Sequence, residues 1–177
     1  MYSIASLFEV DSQGPWNVLS SLCEVSGVTT HSIPHFSWQT AETYQIDTVR
    51  KKLSYLTESI APFHFTTSGL GVFINHRKII FLIIVKTRLL LEIHQTLWDE
   101  VAKYGNDSRP YYAPESWIPH ISLNLNELSE ENFNCCFSKL LNENLQLEFQ
   151  VNKFGLIYMN ENKSGIDSLF PLRGINH

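Results

Sequence analysis

The chain has 177 residues, of which 44% are hydrophobic and 18% charged, a composition typical of a folded protein rather than a disordered one. Its formal net charge is −5, and its 13 basic residues are scattered among 18 acidic ones. Proteins that grip long nucleic acids usually carry a basic stripe, so this balance argues against a long RNA or DNA ligand. The longest apolar run, Ile79 to Val85, has the length of a strand, and no membrane association is expected.

The start of the chain and its cysteines favour a cytoplasmic protein. Met1 to Ile4 show neither the basic patch nor the long apolar core of a signal peptide. Cys135 and Cys136 are adjacent, a poor arrangement for a disulfide, and together with Cys23 they suit a reducing compartment. His31 and His35 stand four apart without further ligands at suitable spacing, so no metal and no other cofactor is expected.

The first half of the chain alternates short apolar segments with helical patterns. Apolar residues at a helical spacing predict a helix from Ile46 to Ile60, which Pro62 ends. The other predicted elements are a strand over Tyr2 to Val10, a turn over Asp11 to Pro15, a helix over Trp16 to Glu24, a strand over Ile33 to Thr40 and a glycine-interrupted strand or hairpin arm over Phe63 to Ile74.

The second half repeats this order. Its predicted elements are a strand over Ile79 to Lys86, a helix over Leu89 to Tyr104 stopped by Gly105 to Asp107, a loop over Ser108 to Ser116, a strand over Ile118 to Leu125, a helix over Ser129 to Asn142 capped by Ser129, and strands over Leu145 to Met159 and Ser168 to Leu172. Each half reads strand, helix, strand, helix, strand. This favours an α+β fold in a single domain of two pseudo-symmetric lobes, residues 1–78 and 79–177. The lobes consist of mainly antiparallel sheet with outer helices around a central cleft, and strands can exchange between them.

A pentapeptide occurs once in each half, at equivalent places. Ile33-Pro34-His35-Phe36-Ser37 and Ile118-Pro119-His120-Ile121-Ser122 match at four of five positions. Side chains at i and i+2 of a strand point to the same face, so each strand presents one imidazole and one hydroxyl together. Two such strands related by a pseudo-twofold axis would surround one site with two histidines and two serines.

This set of groups suits the hydrolysis of a phosphodiester. A neutral imidazole can take a proton from the attacking water, and a protonated one can give a proton to the leaving oxygen. Hydroxyls can donate hydrogen bonds to the non-bridging oxygens. The tripeptide alone is weak, since His64-Phe65-Thr66 and His94-Gln95-Thr96 also fit it. His94 falls in a predicted helix, where i and i+2 do not share a face, whereas His64 lies on a predicted strand and is a possible substrate contact.

At these residues the sequence resembles the 2H phosphoesterase superfamily, the 2′-5′ RNA ligase-like proteins, whose two lobes each carry one His-x-Ser/Thr motif. Trp117 to Leu123 looks like the second motif, and Gly69 to Phe73 followed by Ile79 to Leu82 is similar to the glycine-containing strand and the apolar strand after it. Phe154 to Tyr158 and Phe170 to Leu172 also resemble the last segments of family members, so the resemblance covers nearly the whole chain.

The resemblance implies metal-independent cleavage or ligation of phosphodiesters such as 2′,3′-cyclic nucleotides, RNA ends with a cyclic phosphate, 2′-5′-linked oligonucleotides or ADP-ribose cyclic phosphate. It carries the catalytic histidines onto His35 and His120 and the phosphate-binding hydroxyls onto Ser37 and Ser122. Both hydroxyl positions are serine where threonine is very common. Asn124 to Glu127 stand where bacterial RNA ligase members often have a basic residue, which speaks against tRNA or long RNA.

The loop before the second motif offers further substrate contacts. Tyr111 and Tyr112 could stack on a base and Arg109 could meet a phosphate, while Trp117 directly precedes the motif; an ordinary surface loop stiffened by prolines is the alternative. The leading interpretation is a monomeric hydrolase of a small nucleotide or RNA 3′-end phosphodiester. The alternatives are a 2′-5′ RNA ligase, a non-catalytic nucleotide or RNA-end binding protein, and a purely structural role of both His-x-Ser pairs.

Overall fold

A computed structural model of the protein describes residues 1–8, 34–74, 78–123, 129–159 and 164–174. The predicted turn over Asp11 to Pro15, the predicted helix over Trp16 to Glu24, Cys23, His31 and most of the segment after the second motif lie outside these ranges. The described strands are β1 (Tyr2–Phe8), β2 (His35–Tyr44), β3 (Phe63–Phe73), β4 (Ile79–Ile84), β5 (Gly105–Ser108), β6 (His120–Ser122), β7 (Glu148–Met159) and β8 (Ser164–Pro171). The described helices are α1 (Ile46–Ser59), α2 (Arg88–Val101) and α3 (Glu130–Leu140), and short 3₁₀ turns occupy Ala102–Tyr104 and Pro110–Tyr112.

The strands form one sheet in the order β5-β2-β1-β7-β3-β4-β6, with β8 added beside β7. All pairings among the described strands are antiparallel. Strands of the two chain halves are interleaved, because β7 from the second half lies between β1 and β3 from the first. β3 pairs first with β7, over Phe63 to Thr66, and then with β4, from Thr67 onwards. This change of partner joins the two parts of the sheet.

The helices pack on the outer face of the curled sheet. Their buried residues, such as Val49 and Leu53 of α1 and Leu90 and Ile93 of α2, share a core with strand residues. The Ser129 hydroxyl accepts a hydrogen bond from the backbone N–H of Asn132 and so caps α3, as the sequence predicts. This confirms the predicted α+β class with mainly antiparallel sheet and outer helices. No helix in the described part of the chain is long and apolar enough to cross a bilayer.

Two of the predicted elements in the second half of the chain need correction. The predicted helix over Leu89 to Tyr104 ends at Val101, and the predicted stop at Gly105 to Asp107 is the beginning of β5, which pairs with β2. Residues Gly105 to Asp107 have the composition of a turn but form a strand, because the edge of β2 offers them backbone hydrogen-bond donors and acceptors. The strand predicted over Ile118 to Leu125 is shorter than expected and spans only His120–Ser122 in the described residues.

Gly71 and Phe81 form a cross-strand pair that supports the second motif. The two residues face each other between β3 and β4, and the Phe81 ring covers the glycine so closely that a Cβ there would overlap it. Phe81 in turn stacks on Phe73, with ring centroids 4.2 Å apart, and both rings contact His120. Glycine at position 71 therefore leaves the space in which this aromatic cluster packs.

We expect Gly71→Ala to lower the free energy of unfolding by about 1–3 kcal/mol, because the methyl group must displace the packed Phe81 ring. Gly69→Ala is the matched control, since nothing lies within 4 Å of a Cβ at that position on the same strand. It should change stability by less than about 1 kcal/mol. Urea unfolding of both variants measures the difference, and equal stabilities would contradict the packing argument.

Candidate active site

The two His-x-Ser pairs project from β2 and β6 to the side of the sheet away from the helices. On β2, His35 and Ser37 are partly exposed, whereas Phe36 and Trp38 are buried in the core. On β6, His120 and Ser122 are partly exposed and Ile121 is buried. The alternation of side chains along a strand accounts for both patterns.

Both motifs line one small cavity of about 140 Å³. His35, Ser37, His120 and Ser122 all face it, and Thr40, Tyr111 and Tyr112 are among its other lining residues. A second cavity of about 930 Å³ adjoins it on the β6 side, where it shares His120 and Ser122. Its remaining walls are mostly apolar or aromatic and include Phe73, Ile74, Ile79 and Ile118. The geometry thus joins a small polar site to a larger apolar one.

Trp117 holds the two motif strands together. Its indole Nε1 donates a hydrogen bond to the backbone carbonyl of Ser37, at 3.1 Å. The Trp117 ring stacks on the His94 imidazole, with centroids 3.9 Å apart, and on the Trp38 indole at 5.2 Å. Because Trp117 precedes the second motif and Ser37 and Trp38 belong to the first, this contact fixes the position of β2 relative to β6.

His94 is buried behind this stack and joins three segments. The Nε2 atom of its ring lies 3.1 Å from the carbonyl oxygen of Trp38, and the ring stacks on Trp117. Burial lowers the pKa of His94, although the contact with the Trp38 carbonyl opposes that effect. His94 therefore has a supporting position in α2 beneath the cavity and does not line it.

The surroundings of His120 favour a neutral imidazole with one defined tautomer. Its Nδ1 lies 2.6 Å from the carbonyl oxygen of Ile118, and since a carbonyl can only accept, Nδ1 carries the hydrogen. Nε2 is then the atom with a free lone pair. Burial lowers the pKa of His120, the bond to Ile118 opposes this, and the charge of His35 lowers it further. These conditions are those of a general base near neutral pH.

Sequence reasoning missed residues that surround Ser37. Ser3 Oγ lies 2.8 Å from Ser37 Oγ and 3.1 Å from the carbonyl oxygen of Gln39, and Thr40 Oγ1 lies 3.1 Å from Ser3 Oγ. Burial raises the pKa of the Tyr112 hydroxyl, and the nearby Thr40 and Ser37 hydroxyls oppose that effect. Ser3 gives no signal in the sequence, because its role depends on the pairing of β1 with β2. His94 could have been noticed, since it shares the buried face of α2 with Leu90 and Leu97.

Not all of the other predicted contact residues line the two cavities. Tyr111 and Tyr112 line both cavities, so the structure brings them to the histidines. Trp117 lines the larger cavity but is only 1% exposed. Arg109 forms an ion pair with Glu42, at 3.6 Å, and lines neither cavity.

His64, the remaining predicted contact, lies beside Gln150 of β7 and lines neither cavity. Within the described ranges, no group of three His, Cys, Asp or Glu side chains could hold a metal ion.

Comparison with known protein families identifies the family of this chain. The model of the 2′-5′ RNA ligase superfamily matches residues 26–163, a span that contains both motifs. The chain belongs to this superfamily. The resemblance to the 2H phosphoesterases, first noted at His35 and His120, is thereby confirmed. No curated protein matches the chain by sequence.

Several solved structures share the fold of this superfamily member at low sequence identity. TT0787 of Thermus thermophilus is 15% identical over 99% of each chain, with a TM-score of 0.62. LigT of E. coli, solved with NADP⁺, is 12% identical over 97% of each chain, with a TM-score of 0.59. Usb1 of Kluyveromyces marxianus is 10% identical over 97% of each chain, with a TM-score of 0.55. Identities this low show a common fold and nothing finer.

We expect the imidazole of His120 to titrate below its ordinary pKa of about 6.5. Burial is the larger cause, so His35→Gln should raise this pKa only slightly and leave it below about 6.5. Long-range ¹H–¹⁵N spectra recorded across the titration measure the pKa and the tautomer together. A pKa above 6.5, or hydrogen on Nε2 in the neutral ring, would contradict the environment described for His120.

Proposed function

We propose that this protein is a metal-independent phosphodiesterase that hydrolyses a small nucleotide-type phosphodiester, such as a 2′,3′-cyclic phosphate or a 2′-5′ linkage. The observation that carries the proposal is the convergence of His35, Ser37, His120 and Ser122 on one cavity. Acid–base hydrolysis of a phosphodiester needs two proton-transfer groups and donors for the non-bridging oxygens, and these four side chains supply them.

The environment of His120 supports the role of general base for this residue. Its pKa is lowered mainly by burial, and Nε2 is free to take a proton from the attacking water. His35 is then the general acid that gives a proton to the leaving oxygen. The Ser37 and Ser122 hydroxyls donate hydrogen bonds to the non-bridging oxygens, so that charge in the transition state is stabilised.

The two cavities support a small substrate. The site between the histidines has a volume of about 140 Å³, which suits a single phosphate group, and the adjoining apolar cavity can take the attached nucleoside. Tyr111 and Tyr112 stand at the boundary and offer aromatic faces for a base. E. coli LigT, which shares the fold, has been solved with 3′-AMP and with NADP⁺. Nucleotides of this size are therefore the substrates to test first.

The proposal predicts loss of turnover when either histidine is replaced. His35→Ala and His120→Ala should each reduce kcat by about 10²- to 10⁴-fold, the contribution typical of general acid–base catalysis. A panel of 2′,3′-cyclic nucleotides and 2′-5′ dinucleotides, assayed in EDTA, measures the effect. His64→Ala is the matched control, because this histidine also precedes a hydroxyl residue at i+2 but lines neither cavity.

Different results exclude different parts of the mechanism. Turnover that survives both substitutions would exclude acid–base catalysis by this pair. Loss of wild-type turnover in EDTA would instead indicate a metal-dependent reaction. Binding of nucleotides by the wild type without turnover would favour a receptor, and joining of RNA ends would favour a ligase.

The rate should also depend on pH in a defined way. A base whose pKa is lowered stays active to lower pH, so the acid limb of kcat/KM should have its midpoint below about 6.5. Protonation of His120 below that midpoint removes the lone pair that accepts the proton. Measurement of kcat/KM across the acid and neutral range on the best substrate checks this, and a midpoint above 6.5 would argue against His120 as the base.

A further inference from the structure

Three hydroxyl groups meet beside the first motif. Ser3 and Thr40 are almost fully buried, with 0% and 4% exposure, and Ser37 reaches the small cavity. Ser3 Oγ lies 2.8 Å from Ser37 Oγ, and Thr40 Oγ1 lies 3.1 Å from Ser3 Oγ. The three hydroxyls thus form a hydrogen-bonded chain that ends at Ser37.

A β-bulge in β2 makes this meeting possible. Ser37 pairs with Ala5 of β1, but the register shifts there, so that Gln39 pairs with Ile4 and Thr40 with Ser3. Residues that face each other across an antiparallel pair point to the same side of the sheet. Thr40, instead of Gln39, therefore shares the cavity face with Ser37. Without the extra residue, an amide would occupy the position of this hydroxyl.

The buried hydroxyl of Ser3 links the buried hydroxyl of Thr40 to Ser37, and Ser3 also reaches the Gln39 carbonyl. We propose that Ser3 and Thr40 form a hydrogen-bonded chain that orients Ser37 as a phosphate donor, and that both are positioning residues for this serine. The inference rests on the proposed phosphodiester chemistry of the site.

The chain leaves the Ser37 hydrogen for the substrate in one of its two arrangements. Ser3 has one hydrogen and two acceptors within reach, Ser37 Oγ at 2.8 Å and the Gln39 carbonyl oxygen at 3.1 Å. When Ser3 donates to Ser37, the Ser37 oxygen is an acceptor and its own hydrogen can point to a phosphate oxygen in the cavity. Thr40 then donates to Ser3, and chains of hydrogen bonds polarise one another, which strengthens the terminal donor.

The test removes the two supporting hydroxyls with little change of side-chain shape. Thr40→Val and Ser3→Ala should each lower kcat/KM for the best cyclic nucleotide by about 3- to 10-fold, less than the loss of Ser37 itself. Thr40→Ser, which restores the hydroxyl, should restore most of the rate. Thr43→Val is the matched control, because Thr43 lies on the same strand, is exposed and lines neither cavity.

A double-mutant cycle separates positioning of Ser37 from a general structural role. In the Ser37→Ala background, Thr40→Val should have no further effect, because the group it orients is already absent. In the Ser122→Ala background, Thr40→Val should keep its full effect. Equal effects in both backgrounds would overturn the positioning proposal. If Thr40→Val does not fold, Ser3→Ala is used in the same cycle.

Binding of inorganic phosphate distinguishes failure of the positioning proposal from failure of the proposed function. Phosphate titrations followed by the NMR signals of the His35 and His120 imidazoles need no turnover. If the wild type binds phosphate but turns over no diester, and Thr40→Val weakens binding only when Ser37 is present, the positioning proposal stands and the phosphodiesterase proposal fails. If Thr40→Val and Ser3→Ala bind phosphate as the wild type does while Ser37→Ala does not, the positioning proposal is wrong. A wild type with neither binding nor turnover overturns both.

Discussion

The contact between Trp117 and the first motif is the interaction on which the candidate active site depends. β2 and β6 are far apart along the sheet path and approach each other only because the sheet curls. The hydrogen bond from the Trp117 indole to the Ser37 carbonyl, and the stack of Trp117 with Trp38 and His94, span this approach. A buried indole N–H must find an acceptor, so the bond fixes a distance that apolar packing alone would leave variable. The separation of the two histidines follows from it.

The same packing gives the cavity an electrostatic asymmetry. On the β6 side, the aromatic rings of Phe73 and Phe81 enclose His120, and desolvation keeps its imidazole neutral. On the β2 side, a cluster of hydroxyls surrounds Ser37. The two pentapeptides are nearly identical, yet their surroundings differ in polarity. The same sequence motif can therefore provide a base in one half and a different function in the other half. The neighbouring residues set the pKa of the histidine and the hydrogen-bond donors available to a ligand.

The local parts of this arrangement could be predicted from sequence, and the parts that depend on pairing could not. The helix over Ile46–Ser59 and the cap at Ser129 follow from apolar spacing and a hydroxyl before an acidic turn. The shared face of His35 and Ser37 follows from strand alternation.

Thr40 was not predicted as a site residue, because strict alternation would have placed Gln39 on that face. The bulge opposite Ile4 is visible only in the register of the two strands. The strand β5 was missed for a related reason, since its turn-like composition becomes a strand only against the open edge of β2. Likewise, Trp117 was predicted to be a substrate contact because it precedes the motif, but its polar atom bonds to a backbone carbonyl of the other motif.

The charges around the cavities limit the ligand that this architecture can hold. Among the described residues that line them, no Lys or Arg side chain is present, and Arg109 is paired with Glu42 outside both. In the proposed function, hydroxyl donors and one protonated imidazole balance the charge of a bound phosphate. A phosphodiester carries a single negative charge, which one imidazolium can match, whereas a terminal phosphate carries up to two. In the proposed mechanism, burial favours the neutral form of His120, so His35 supplies the positive charge, and its proton is the one given to the leaving oxygen.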